Sequence, residues 1–393
     1  MRSTFLPFAP PLIGDEEINE VVQTLREGWI TTGHRAQRFE SEFAELVGAP
    51  AALAVNSATS AMHIALAALG IGEGDAVVST TMTFASSIHV IEHQRALPVL
   101  VDVERDTLNI DPDQVEAAIK RTPGVKAILP VHLYGHPAEM DAIYEIATRH
   151  GLAVIEDAAH SLPARYHGRM IGAPQPGFEQ PNLVAFSFYA TKNLTTGEGG
   201  MLTGPPDLVD QARMWSLHGM SRDAFRRYTS EGSWRYEVVL PGFKYNMPDV
   251  QAAIGLHQLK RLDAMQRRRR AIVAQYDEAL GQLDALETPV ERPGVESAWH
   301  IYLLRLKLDR LRIDRAQFID ELRARNIGAS VHFIPIHLHP YYRDRYQLKP
   351  SDFPVAQSEF ERMLSLPLSP AHSDQDVADV IEAVADIVRE HHT

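Results

Sequence analysis

Lys192 stands in the stretch SFYATKNLTTGEGG, five residues after Ser187 and just past the apolar run 183–186. A lysine at the end of a buried strand can be a solvated loop cation. It can also be a partly desolvated amine that loses its proton readily and forms an imine with a carbonyl compound. Residues 151–160, GLAVIEDAAH, read as a buried strand ending in two carboxylates, with His160 three residues beyond Asp157. An Asp there could hold a pyridine nitrogen protonated and so make the ring an electron sink, or it could only cap the next helix. His160 could bond the phenolic oxygen of such a ring, or be a satisfied core histidine.

Three weaker signals point the same way. Residues 56–62, NSATSAM, pass from a strand end into a helix through small side chains, where backbone N–H groups and the helix dipole suit a phosphate. Simple Ser/Thr capping would look alike. Thr83 and Phe84 follow another apolar strand, so Phe84 could stack on a flat ring, although aromatics there are more often core. The Ser187 hydroxyl could reach the same phosphate. Together these are the parts that pyridoxal 5′-phosphate needs: a phosphate seat, an acid for the ring nitrogen, a stacking face and an amine.

The elements that must carry these groups follow from the periodicity. Helical spacing over 15–26 and 39–47 is followed by alternating short apolar runs and helical stretches: 51–55, 58–69, 76–79, 85–93, 97–101, 112–120, 127–131, 140–150 and 152–155. Such alternation predicts an α/β domain with a largely parallel sheet covered on both faces, and a ligand site beyond the carboxyl ends of its strands. Residues 164–182 read as an irregular excursion. From Pro248 the texture changes: a long helix over 249–278, a turn-rich 286–295, a strand over 299–308, and helices over 314–326 and 374–390. The run Arg267–Arg270 reads as a solvated face of the long helix rather than a phosphate site.

Composition sets the outer limits. A chain of 393 residues exceeds one average core. Its 45% hydrophobic and 23% charged content suits a soluble globule, and a net charge of −13 argues against nucleic acid or an anionic membrane as partner. The absence of cysteine excludes disulfides, thiolate metal sites and Cys nucleophiles. The start, MRSTFLPFAPP, does not read as a signal peptide and no segment approaches a membrane span, so a cytoplasmic location is expected.

Beyond these features, the residues resemble the DegT/StrS sugar-nucleotide aminotransferases, and within them the branch that makes UDP-4-amino-4-deoxy-L-arabinose. The resemblance spans essentially the whole chain through GWITTG, NSATSAMHIAL, PVHLYGHPAEMDAI, VIEDAAHS, SFYATKNLTTGEGGM, PGFKYNMPDVQAAIGLHQLKRLD and VHFIPIHLHPYY. It implies the type I, aspartate-aminotransferase-like fold of pyridoxal phosphate enzymes. A large α/β domain over residues 1–250 would bind the cofactor, and a small α+β domain would span 251–393. Lys192 would be the Schiff-base lysine and the proton shuttle, Asp157 the partner of the pyridine nitrogen, and His160 that of the phenolic oxygen. Phe84 would stack on the ring, and Ala58, Thr59 and Ser187 would hold the phosphate.

The same resemblance implies a homodimer with composite sites. A segment that usually reads GxNxR reaches the partner's phosphate; here it has Lys244 in the usual Asn place and Asn246 in the usual Arg place. Trp29 and His332 would face substrate. The cofactor would alternate between pyridoxal and pyridoxamine 5′-phosphate. L-glutamate would donate its amine to a nucleotide-linked keto sugar, at carbon 4 because the TTGEGG turn is similar to that of 4-aminating members. Amination at carbon 3 or of a keto-cyclitol is the alternative, and a pyridoxal phosphate-binding regulator the non-enzymatic one. The spacing of His332, His337 and His339 could suggest a metal, but without a matched carboxylate none is expected.

Overall fold

The computed structural model describes residues 2–220 and 236–393. Its centre is a seven-stranded sheet built from β1 (Ala51–Val55), β2 (Ala76–Thr80), β3 (Leu97–Val101), β4 (Val125–Leu129), β5 (Ala153–Asp157), β8 (Asn182–Ser187) and β9 (Gly200–Gly204). Between β5 and β8 lie the two-residue strands β6 (Arg165–Tyr166) and β7 (Arg169–Met170), within the stretch expected to be irregular. The order across the large sheet is β1-β9-β8-β5-β4-β2-β3, and only β9 runs against its neighbours. Every residue of β2 and β5 is buried, as a parallel strand covered on both faces requires.

Helices α1 (Asp15–Glu27), α2 (His34–Val47), α3 (Ala58–Ala68), α4 (Ser86–His93), α5 (Pro112–Arg121), α6 (Met140–His150) and α7 (Pro206–Ser216) flank this sheet. Helix α3, ATSAMHIALAA, is apolar nearly all round and correspondingly buried, capped by the Ser57 hydroxyl on the N–H of Ser60 at 3.0 Å. Helix α2 begins five residues before its periodicity suggests. The Asp249 carboxylate accepts from the N–H groups of Gly33, Arg35 and Ala36 at 2.7, 3.2 and 2.9 Å and so satisfies the first turn from far along the chain.

Helix α8 (Asp249–Leu280) joins two cores. Its first half packs Ala252, Leu256, Leu262 and Met265 against the sheet, and its second half packs Ile272, Val273, Tyr276 and Leu280 against the C-terminal elements. These are β10 (Leu286–Glu287), β12 (Tyr302–Leu306) and β13 (Met363–Leu366) in an antiparallel sheet, with α9 (Arg315–Ala324) and α12 (Asp374–His391). Strand β11 (Val295–Glu296) instead pairs with β6, and α10 (Pro340–Tyr346) and α11 (Pro354–Arg362) complete the chain. The first residues return to this second core, since Leu6 is buried in it and its N–H donates to the Asn326 carbonyl at 2.8 Å.

The arginine run on α8 corrects the sequence reading. Arg269 is buried, and its guanidinium donates to the Leu368 carbonyl at 3.0 Å and the Trp299 carbonyl at 3.4 Å. Arg268 pairs with Asp374 at 2.6 Å and Arg270 donates to the Ser297 carbonyl at 3.2 Å. Arg268, Arg269 and Arg270 fasten the second core to the long helix, and within the run only Arg267 is exposed as a solvated face requires. No described helix is long and apolar enough to cross a membrane.

Candidate active site

A cavity of about 380 Å³ opens at the carboxyl edge of the large sheet. Strand β1 ends there and feeds Ser57 into α3, β2 feeds Thr83 and Phe84, β5 ends on Asp157, and β8 ends on Ser187. Because β9 runs the other way, its first residue, Gly200, lies opposite both Val55 and Ser187 at the same edge. Strand alternation splits the two carboxylates of β5 between opposite faces. Asp157 lines the cavity. Glu156 is tied into the interior by His132 Nε2 at 2.9 Å, the Tyr144 hydroxyl at 2.6 Å and Asn182 Nδ2 at 2.7 Å.

Asp157 is held rigidly. Its Oδ2 accepts from the Ser87 hydroxyl at 2.7 Å and its Oδ1 from the Ala159 N–H at 3.1 Å, while Thr83 braces Ser87 at 2.8 Å. The loop bearing Lys192 is pinned as well. The Lys192 N–H donates to the Tyr189 carbonyl, and the Phe188 carbonyl accepts from the Thr196 N–H and the Thr195 hydroxyl. Burial pushes the Lys192 ammonium down to about 8, against the opposing pull of Asp157.

Three histidines share the cavity. His160 is buried, accepts the Tyr134 N–H on Nδ1 at 3.2 Å, and stacks on Phe333 with ring centres 5.6 Å apart. His332 meets the Ser365 hydroxyl at 2.9 Å, stacks on Phe8 at 5.0 Å, and its carbonyl accepts from the Tyr134 hydroxyl. His300 places Nε2 3.5 Å from Lys192 Nζ. Burial, reinforced by the Lys192 charge, depresses all three, His332 to about 4 and the others well below the usual imidazole value.

The residues fit pyridoxal phosphate. Ala58 and Thr59 are the first helical residues of α3, whose N–H groups precede the hydrogen-bond ladder, and both line the cavity beside Ser187. The turn facing them is cut to glycine: a Cβ on Gly200 would lie 2.4 Å from the Ser57 carbonyl carbon and 2.6 Å from Ala58 N. That close backbone approach, an amine and a carboxylate form a donor set suited to a phosphorylated aldehyde. Phe84 is 59% exposed at the mouth, 5.6 Å from Phe333.

The structure thus brings Ala58, Thr59, Phe84, Asp157, His160, Ser187, Lys192 and His332 to one cavity. Trp29, Lys244 and Asn246 do not line it. The Trp29 indole donates to the Thr32 carbonyl at 3.1 Å, Lys244 is exposed and donates to Asn246 Oδ1, and Asn246 Nδ2 donates to the Thr32 hydroxyl at 2.6 Å. His337 is turned away to Thr81 at 2.8 Å and Gln357. Sequence reasoning missed His300, Phe333 and Asn193. For Asn193 a signal was present, since it directly follows Lys192; His300 stands at the entry to β12 with no local pattern to mark it.

Comparison with known proteins agrees with this geometry. Residues 11–385 match the DegT/DnrJ/EryC1/StrS aminotransferase family. The spore coat polysaccharide biosynthesis protein SpsC of Bacillus subtilis is 52% identical over 99% of this chain and 98% of its own length. Among solved structures, the proposed sugar aminotransferase Spr1654 from Streptococcus pneumoniae, in its PMP form, superposes with a TM-score of 0.90 at 33% identity, covering 98% of this chain and 99% of that one. DesV of S. venezuelae, solved with a ketimine intermediate, gives 0.85 at 35% identity, with the same coverage of both chains.

Proposed function

The chain belongs to the DegT/DnrJ/EryC1/StrS aminotransferase family and is a pyridoxal phosphate-dependent sugar aminotransferase, and on that premise we propose that it moves an amino group from L-glutamate to carbon 4 of a nucleotide-linked keto sugar. The observation that carries the site assignment is the pairing of Lys192 and Asp157 in one cavity, with the amine brought down to about 8. Bound pyridoxal phosphate supplies a carbonyl that condenses with amines and a ring that accepts the electron pair of a broken C–H bond.

Lys192 Nζ would hold the cofactor through its carbonyl and, when free, would move the proton at the reacting carbon of donor and sugar. An amine poised near neutrality can do both, because it is neither locked as ammonium nor too weak a base. Asp157, fixed by Ser87 and Ala159, would hold the ring nitrogen and keep it protonated. His160 would bond the phenolic oxygen. Ala58, Thr59 and Ser187 would hold the phosphate, and Phe84 would cover one face of the ring.

The substrate side rests on the mouth of the cavity. Phe84 and Tyr189 are 59% and 47% exposed there, with His332 and Phe333 behind them, which leaves aromatic surface for a sugar and its attached base. The Thr195–Gly200 turn favours carbon 4. A homodimer completes the site, with Lys244 and Asn246 reaching the partner's phosphate and Trp29 at the shared rim. SpsC is named for polysaccharide biosynthesis, and an amino sugar destined for a glycan fits that setting. The reaction is placed in the cytoplasm, where glutamate and nucleotide sugars are supplied.

Purified protein with pyridoxal phosphate is expected to show a visible absorbance band that Lys192→Ala abolishes, and to aminate one member of a panel of UDP-, dTDP- and GDP-4-keto sugars. A band that survives the substitution would remove Lys192 from its role. Product NMR with nitrogen on carbon 3 would overturn the regiochemistry alone.

A further inference from the structure

His300 and Asn193 form a fixed chain that ends at the lysine amine. Asn193 is buried, and its Nδ2 donates to the Leu162 carbonyl at 2.9 Å and the Ala298 carbonyl at 2.7 Å. With both amide hydrogens used, Oδ1 is turned to His300 Nδ1, 3.3 Å away. An amide oxygen only accepts, so Nδ1 carries the ring hydrogen and Nε2 of the neutral imidazole keeps its lone pair. That atom lies 3.5 Å from Lys192 Nζ. The ring cannot drift, since the His300 N–H donates to the Tyr134 carbonyl at 3.0 Å and the ring packs on His160 at 4.5 Å.

We propose that His300, locked in one tautomer by Asn193, is a positioning residue that presents an acceptor to Lys192 and so orients the amine for proton transfer. The inference rests on the reading of Lys192 as the cofactor-bearing amine. The charged and titratable groups around this chain are Asp157 from β5, His160 beyond it, His332 beside Ser365 of β13, and Arg269 from α8. Burial first, then Lys192, His160, Arg269 and His332, keep the His300 ring neutral. A neutral acceptor can take a hydrogen from the ammonium or from the free amine. It therefore holds Nζ on one line through both protonation states, which an imidazolium could not do.

The test follows Lys192 itself in the cofactor-free protein, by the pH dependence of its reductive methylation, read by peptide mass spectrometry. The wild-type midpoint is expected near 8. His300→Leu removes the acceptor and should lower the midpoint by about half to one pH unit, about a three- to fivefold rise in labelling at pH 7. With cofactor present the same variant should lose about tenfold in kcat with the donor KM unchanged. His300→Gln, whose amide can again offer an oxygen, should restore both. His300→Phe, which keeps the ring volume and the packing on His160 without an acceptor, should lower the Lys192 midpoint in the same way even if His300→Leu fails to fold. A midpoint unmoved in both His300→Leu and His300→Phe, or a Gln variant as impaired as Leu, would overturn the proposal. Labelling does not depend on the cofactor band, so a failure here stays distinct from loss of the Lys192 assignment itself.

Discussion

Arg292 and Lys192 are both cations drawn in from solvent, and the side chains around them differ in kind. Arg292 is met by Asp106 at 2.9 Å, by Glu104 at 3.0 Å and by Glu139 at 2.7 Å, which raise its guanidinium further above its ordinary value, Asp106 foremost. Lys192 has Asp157 across the cavity and otherwise neutral imidazoles, so burial wins and its affinity for a proton falls. A charge with matched partners is inert and serves the fold. A charge without enough of them is destabilising and available for chemistry. Lys192, and not Arg292, lines the candidate active-site cavity.

Substituting Lys192 breaks this contrast most strongly. Lys192→Met is expected to reduce turnover by at least about 10²–10⁴-fold, because the group proposed to move the proton is gone. The same change should stabilise the cofactor-free protein at pH 7. The folded value of about 8 lies below the unfolded 10.5, so the unfolded chain binds the extra proton between them. The stabilisation, about 1–3 kcal/mol after discounting for lost packing, should be complete below pH 8 and fade as the pH rises to 10.5. Denaturant melts across that range decide it, and a less stable Met variant at pH 7 would show that the lysine is adequately paired.

Arg292→Met should act in the opposite sense. It leaves three carboxylates facing one another, and because the pair is only half-buried the cost is about 1–3 kcal/mol. The visible absorbance band per folded molecule should not change. A spectral shift in this variant would mean the two clusters are coupled.

At neutral pH the smallest expected effect concerns the site histidines. His332 stands at about 4 when folded against 6.5 for an ordinary imidazole. Stability present above pH 6.5 is therefore lost as the pH falls through about 4, at about 1.4 kcal/mol per pH unit for each such histidine. His332→Gln should reduce proton uptake on unfolding at pH 5 by about one proton. An unchanged acid slope would mean His332 is solvated in solution.

Several of the site's parts were legible because they sit where local pattern changes. Asp157 ends an apolar run, Lys192 follows another, and Ser57–Thr59 open an apolar helix. Strand β9 was harder: its Gly-rich entry reads as a turn, and its reversed direction is visible only against β8 and β1. Arg269 was misread because an arginine's neighbours in sequence do not reveal that two carbonyls from 30 and 99 residues away converge on it.

By itself the sequence determined the alternation of strands and helices, the carboxyl-edge location of the site, and the amine–carboxylate pair within it. These follow from burial periodicity and residue chemistry, which act over a few neighbouring residues. Only the tertiary structure decided that Asp249 caps α2, that Glu156 and Asp157 serve opposite faces, and that His300 is aimed at Lys192 by Asn193. Those depend on hydrogen bonds closed across long loops, where direction and distance, not residue type, select the partner.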